Sequence, residues 1–324
     1  MKKIILIVLI FNFMVCVIMA GSYKYVEKID NNEKILYKNS GIELTFNSVI
    51  DWGNYEIKVN VEEEKEIKDS RELVERYNVL KVEAINRAAL ILDDIKIDSN
   101  YKIGDYKNLN QNFSVKLKAF ISEVDIKERS YKNGIISCTV VIPIAGEDES
   151  VSSFIIDDYY SYKIGFRMNL FDLFSNKIYA AENTGIIIDA RKAGINPAIL
   201  PKVVTKAGTV YNPKDVSKTE LKKSGAVQYI IAGDKVDDKQ ILKESLTGKE
   251  EFQRTGTNPL IVKSYSTKGK LKTDAVVSKE DAEKMKKSGN LKNGKVTIIV
   301  DAKVGGVIGI KNIGDYDIIL LARE

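Results

Sequence analysis

Residues 183–211, with the sequence NTGIIIDARKAGINPAILPKVVTKAGTVY, decide the fold of the second half of the chain. The run IIIDAR at residues 186–191 recurs as IIVDAK at residues 298–303. β-Branched apolar runs that end in charged residues are typical of buried strands that pass into a loop. Gly194 follows the first run and Gly305 the second, which predicts a turn after each strand. We therefore predict two similar strands at the two ends of one domain, with their aspartates at the same edge of a sheet.

Proline and glycine indicate the elements of the remaining second half. Pro197 and Pro201 exclude a continuous helix and favour an extended connection. The other predicted elements are a hairpin at residues 203–211, a strand at 227–232, a helix at 234–246 and a short helix capped by Ser278. These elements predict a mixed α/β domain that is rich in strands.

The first half of the chain shows both strand and helix periodicity. Residues 55–61 alternate between apolar and polar side chains, as a half-buried strand does. Asn133-Gly134 precedes an apolar run and favours a hairpin turn. Two further alternating runs, at residues 113–121 and 162–168, predict two more strands.

Residues 65–95 predict one long amphipathic helix that covers this sheet. Leu80, Ala84 and Ile91 belong to an apolar stripe spaced by three or four residues, and Val82 widens that stripe. Arg87 is expected outside the stripe. We expect the helix to be a packing element.

The predicted fold class is α+β, with a helix packed on an antiparallel sheet in the N-terminal domain. We expect this domain to cover residues 21–175 and the mixed α/β domain to cover residues 183–324. The boundary at residues 172–183 lacks the proline, glycine and serine content of a flexible tether. The two domains are therefore expected to pack together.

The N-terminus has the three parts of a secretory signal. Lys2 and Lys3 precede an apolar run that ends at Ala20, which predicts a signal peptide at residues 1–20 and export. An uncleaved membrane anchor is one alternative. In another, Cys16 is lipidated and attaches the protein to the outer membrane. If the signal is instead cleaved after Ala20, Cys138 is the only thiol left, and its apolar neighbours predict a buried strand position.

Composition excludes several classes of protein. The chain has no histidine, so Ser-His-Asp and Cys-His catalysis and most zinc sites are excluded. The net charge of +5 is spread along the chain without a basic stripe, so we expect no nucleic-acid partner. We find no catalytic constellation and expect no cofactor.

Three carboxylates follow apolar strands and are the candidate site residues. Asp189, Asp301 and Asp234 would bind a divalent cation or share a proton if two of them lay side by side. In the simpler interpretation the aspartates only end their strands, and Arg191 and Lys303 balance their charge. The glycines at residues 305–309 lack the lysine and hydroxyl of a phosphate-binding loop.

The helix sequence EAINRAA at residues 83–89, with the strand-like segments around it, resembles the bacterial envelope lipoprotein family of about twenty kilodaltons. The flagellar-associated proteins FlgP and FlgT carry N-terminal modules that are similar to residues 55–144. The pattern TGxxxDARxxGxxPAxxPKxxxxxGxxVY from residue 184 resembles a domain of uncharacterised exported bacterial proteins. The first resemblance implies a small domain of one helix on an antiparallel sheet that serves outer-membrane or flagellar assembly without catalysis.

Export, this resemblance and the absence of catalytic groups predict a non-enzymatic protein of the periplasm or of the periplasmic face of the outer membrane. It would act through contacts with envelope or flagellar proteins, or with itself, in assembly or stabilisation. One alternative is a periplasmic ligand-binding protein or a carboxylate-dependent hydrolase that uses Asp189 and Asp301. A lipidated surface antigen is the third hypothesis.

Overall fold

The computed structural model describes residues 26–37, 42–146, 149–163, 183–232, 238–246 and 252–301. These residues form an α+β protein with one sheet in each half of the chain, so the predicted fold class is confirmed. Parts of the sequence-based predictions lie outside the described residues, namely the signal segment 1–20 with Cys16, residues 172–182 of the domain boundary, Asp234, and Lys303 with the glycines that follow it.

The first sheet has five antiparallel strands in the order β1-β2-β3-β5-β4. They are β1 (Val26–Tyr37), β2 (Ile42–Asp51), β3 (Glu56–Glu64), β4 (Ile126–Lys132) and β5 (Ile135–Pro143). β3 buries every second residue, as its sequence predicts. Asn133 and Gly134 join β4 to β5 with φ angles of 54° and 75°, so the predicted hairpin is confirmed. Cys138 of β5 is buried, also as predicted.

Helix α1 (Ser70–Asp94) packs on β3 and β5 and confirms the long helix expected there. Asp69 caps its first turn, because its carboxylate accepts a hydrogen bond from the Glu72 amide at 2.9 Å. Leu80, Ala84 and Ile91 are buried in the core beneath the helix.

Two side chains of α1 lie on the face opposite to the one predicted. Val82, expected in the buried stripe, is 52% exposed. It is about two and a half turns from Ile91, so the two residues lie on opposite sides of the helix. Arg87, expected outside the stripe, is buried. It is about two turns from the buried Leu80, on the same side of the helix.

Residues 111–123 form a helix, so the strand predicted at residues 113–121 is wrong. The short helix α2 (Ile103–Leu109) is followed by helix α3 (Gln111–Glu123). Asn110 caps α3, because its side chain accepts a hydrogen bond from the Phe113 amide at 3.1 Å. The buried residues Phe113, Leu117 and Ile121 are spaced by four, which suits one face of a helix.

Helix α4 (Val151–Lys163) contains Tyr162, so a strand beginning at that residue is also wrong. Val151 and Ile155 are both buried and lie four residues apart, which gives this helix its inner face. The remainder of the predicted strand, residues 164–168, lies outside the described residues.

The second sheet has seven strands in the order β8-β7-β11-β10-β6-β12-β9. They are β6 (Ile186–Asp189), β7 (Val203–Val204), β8 (Thr209–Tyr211), β9 (Gln228–Ala232), β10 (Leu260–Lys268), β11 (Asp274–Val277) and β12 (Val296–Asp301). The last four strands in this order are parallel to one another, namely β10, β6, β12 and β9. β7 and β8 form the predicted hairpin, and β9 is the predicted strand.

Among the described residues, three α-helices accompany this sheet, namely α5 (Lys218–Ser224), α6 (Asp238–Leu246) and α7 (Lys279–Lys287). The Ser278 side chain accepts a hydrogen bond from the Asp281 amide at 3.0 Å, so the predicted cap of α7 is confirmed. On one face of the sheet, Ile187, Ile230 and Ile299 pack with Ile241 of α6 and with Phe252. The opposite face belongs to a core that is shared with the first half.

Aromatic rings join the two halves at the centre of this shared core. Trp52, which follows β2, meets Tyr55 and Tyr229 edge to face, with ring centroids 6.1 and 5.5 Å apart. The hydroxyl of Tyr55 donates a hydrogen bond to the Val227 carbonyl. Burial raises the pKa of Tyr55 and of Tyr229 far above the ordinary tyrosine value. Both phenols are therefore neutral: Tyr55 donates across the junction, whereas the Tyr229 hydroxyl donates to the Ala198 carbonyl within the second half.

Main-chain hydrogen bonds also cross the junction. The amides of Ile199 and Leu200 donate to the carbonyls of Lys96 and Ile97 at 2.9 and 2.7 Å. These residues lie in the extended segment around Pro197, which confirms the non-helical connection predicted there. The two sheets therefore form one packed body.

Candidate functional site

The first candidate site lies where the parallel strands β6 and β12 end, at Asp189 and Asp301. We call it the carboxylate edge. The repeated sequences both form strands, as predicted, and the structure shows that these strands are neighbours; the end of each strand carries its aspartate. In the register, however, Asp189 is opposite Ile299 rather than Asp301. Asp301 is thus two residues further along its strand and pairs in register with Ala232 of β9.

Asp189 is held by Arg191, two residues along the chain. The arginine Nε donates to Oδ1 at 2.9 Å and Nη2 donates to Oδ2 at 2.7 Å, so the contact is bidentate. The two side chains are only 11% and 9% exposed. Burial by itself would raise the pKa of Asp189, but the hydrogen bonds and positive charge of Arg191, with a smaller effect of Lys263, hold that pKa below its ordinary value.

This geometry determines what the carboxylate edge can do. Both oxygens of Asp189 are engaged by a cation of the same chain, as in the simpler interpretation of the sequence. A metal ion or a proton shared with Asp301 would have to displace the guanidinium. Within the described ranges, no group of three or more histidine, cysteine, aspartate or glutamate residues is placed to hold a metal ion.

The ion pair predicts a pH dependence of stability. Because the folded-state pKa of Asp189 is lowered, the stabilisation is present above the ordinary carboxyl pKa of about 4 and is lost as pH falls through the folded value. We expect the difference in unfolding free energy between the wild type and Asp189→Asn to shrink steadily as the pH is lowered through this range. Urea titrations at a series of pH values measure this difference.

The comparison with Asp189→Asn is needed because Asp274 acts in the opposite direction. Burial raises the pKa of Asp274, so its contribution favours folding at low pH and is lost as pH rises through the folded value. Both proteins contain Asp274, so its effect cancels in the difference. A difference that stayed constant with pH would contradict the assignment to Asp189.

The outer face of α1 is a second candidate site, suited to contact with another protein. We call Val79, Val82 and Leu90 the outer stripe; their exposed fractions are 38%, 52% and 43%. The outer stripe is not evident from the sequence, because the three-to-four spacing of apolar residues continues around the helix. Only the position of the sheet shows which apolar side chains are left outside.

A cleft at the junction of the two halves is the third site, and no sequence motif indicates it. Its volume is about 740 Å³. From the first half, the cleft is lined by Gly53 and Tyr55. From the second half, it is lined by α5, the start of β9 and residues 253–254 and 292–295. These segments are far apart in the sequence and meet only in the folded chain.

The part of the chain that forms the second sheet matches a known domain family. Residues 185–302 match the family described as Treponema pallidum Tp0624, second domain. The Tp0624-like segment begins just before β6 and ends just after β12, so it contains every strand of the second sheet. It covers less than half of the chain. A search of the curated proteins finds no match.

The Tp0624-like segment carries the carboxylate edge and most of the junction cleft, whereas the outer stripe belongs to the first half. In the portion of the chain that the structure describes, no helix has both the length and the apolar character needed to cross a membrane.

Proposed function

We propose that this chain is a non-enzymatic, exported protein of the cell envelope that acts through protein-protein contacts in envelope or flagellar assembly. The observation that carries the proposal is the outer stripe, a row of exposed aliphatic side chains on a helix that the core holds in place. The signal-like N-terminus supports export, with the periplasm or the periplasmic face of the outer membrane as its location.

The helix that bears the outer stripe is fixed from below and from its sides. Its inner face is buried, and Arg76 forms a bidentate ion pair with Glu63 of β3, with contacts of 2.8 and 2.6 Å. Lys81 reaches Asp125 at 2.8 Å. A fixed helix presents its outer side chains in a constant arrangement, so a partner loses little binding energy in ordering them.

The exposed aliphatic surface supplies the driving force for association. Burial of the exposed part of each side chain in the outer stripe would contribute about 1 kcal/mol. Asn86 lies between Val82 and Leu90 and is exposed as well. Residues 79, 82, 86 and 90 therefore follow one another at intervals of three or four, the spacing with which one helix contacts another. The apolar face of an amphipathic helix in an envelope or flagellar protein fits this surface best.

The alternative of a ligand-binding protein or hydrolase that uses Asp189 and Asp301 has weaker support. It needs the Asp189 carboxylate to be available, and that carboxylate is engaged by Arg191. The register also offsets the two aspartates along their strands. The outer stripe needs no such rearrangement.

A single substitution in the outer stripe tests the proposal. We expect Val82→Glu to remove the protein from its assembly, because a carboxylate would have to be buried in an apolar interface. Size-exclusion chromatography of gently solubilised cells should show the wild type in a large complex and the variant at the size of the free chain.

Tyr265→Glu is the matched control, because Tyr265 is also 52% exposed but lies on β10 in the second half. This control should stay in the large complex. If both variants stayed in the complex, or if the wild type were recovered as a free monomer, the proposal would fail. If the complex contained only copies of this chain, the stripe would mediate self-association instead.

A further inference from the structure

We propose that the junction cleft binds a small organic anion that carries two or more acidic groups. This inference goes beyond the proposed function and uses none of the residues of the outer stripe. It rests on three cations that line the cleft, Arg254, Lys292 and Lys295, against one carboxylate, that of Glu220.

Arg254 is a fixed positive charge beside the cleft. Its Nε donates to the Gly294 carbonyl at 2.7 Å, and its Nη2 donates to the carbonyls of Gly225 and Ala226 at 2.8 and 3.1 Å. A further hydrogen bond joins Nη1 to the Ser224 carbonyl. Carbonyl groups are dipoles without net charge, so these bonds orient the guanidinium and leave its charge in place. Among the described residues, no carboxylate forms an ion pair with Arg254.

Lys292 and Lys295 add two exposed cations on the loop before β12. Both side chains are exposed, and neither forms an ion pair within the part of the chain that the structure describes. On the opposite side, one oxygen of Glu220 accepts a hydrogen bond from the Ser224 hydroxyl at 2.7 Å. The titratable side chains that line the cleft thus carry a net charge of +2 when Tyr55 is neutral. A concave site with a net positive charge concentrates anions.

The size and lining of the cleft indicate a small molecule. A volume of about 740 Å³ lies in the usual range of small-molecule sites. Gln228, Gln253 and Asn293 add side-chain amides that donate hydrogen bonds to oxyanions. Tyr55 and Gly53 place the ligand against the first half as well, so the bound anion contacts both halves of the molecule.

Isothermal titration calorimetry of the full-length chain at low ionic strength tests the inference with two probes, citrate and pyrophosphate. Citrate represents polycarboxylates and pyrophosphate represents phosphorylated ligands. We expect at least one probe to bind, and the stronger one to identify the class of acidic group. The double variant Lys292→Gln/Lys295→Gln should bind about tenfold more weakly, since each exposed ion pair contributes modestly.

The matched control is Lys268→Gln/Lys270→Gln, which removes two exposed lysines, one at the end of β10 and one in the turn before β11, and changes the net charge equally. This control should bind the probe as the wild type does. Failure of both probes to bind the wild type would overturn the inference. So would equal affinities in all three proteins, or an equal loss in both double variants, because the binding would then not depend on the cleft.

Discussion

Replacement of Trp52 by alanine is expected to lower the free energy of unfolding by about 3–5 kcal/mol, one of the two largest effects we predict for a single substitution. Trp52 is 2% exposed and contacts Tyr55 from its own half and Tyr229 from the other. Removal of the indole would leave a cavity where the two halves meet. The variant would lose both the favourable free energy of transferring the ring out of water and the packing contacts of the ring.

Guanidinium unfolding followed by far-ultraviolet circular dichroism measures this effect. Tryptophan fluorescence is unsuitable because Trp52 is the only tryptophan of the chain. Trp52→Phe is the matched control and should lose clearly less stability, since a smaller ring still fills part of the site. A loss below about 1 kcal/mol for Trp52→Ala would show that the aromatic cluster does not hold the halves together.

The second large effect concerns the buried ion pair at the carboxylate edge. We expect Arg191→Ala to cost about 3–5 kcal/mol, because the Asp189 carboxylate would then be buried without its cation. The double variant Asp189→Leu/Arg191→Leu removes both charges and should recover most of the lost stability, since apolar replacements of a buried pair are often tolerated.

Urea unfolding of the wild type, the single variant and the double variant measures the effect at neutral pH. A double variant that was less stable than Arg191→Ala would show that the pair itself stabilises the fold beyond mutual neutralisation. A loss of less than about 1 kcal/mol in Arg191→Ala would mean that water replaces the guanidinium at this edge.

Short-range patterns were sufficient for much of the fold. The alternation at residues 55–61 identifies β3, because a strand buries every second side chain. Asn133 and Gly134 identify the hairpin, since both adopt the positive φ that its turn requires. The repeated runs at residues 186–191 and 298–303 identify β6 and β12, and the structure places these strands side by side.

Helix α3 shows where such patterns become ambiguous. Its residues 113, 117 and 121 are spaced by four, but the intervening Val115 and Ala119 complete an alternation with period two. Val115 is 67% exposed in the structure, so its apolar character carries no information about burial. The capping residue Asn110 is the local signal that favours the helix.

The candidate sites depend on tertiary contacts that no local pattern contains. Asp189 and Arg191 are close in sequence, and the simpler interpretation of the strand end already includes their pairing. By contrast, the exposure of Val82 depends on which side of α1 the sheet covers. The junction cleft requires Tyr55 to approach Val227, which is 172 positions away in the chain. Sequence periodicity predicts local secondary structure and gives no information about contacts between residues so far apart in the chain.

Cross-linking in intact cells tests most directly whether the protein works through the outer stripe. A photo-cross-linking amino acid replaces Val82 in one strain and Tyr265 in another, and mass spectrometry identifies what each attaches to. We predict that position 82 cross-links to a helix of an envelope or flagellar protein and that position 265 does not. The absence of any protein cross-link from position 82, with the chain correctly folded, would contradict the account.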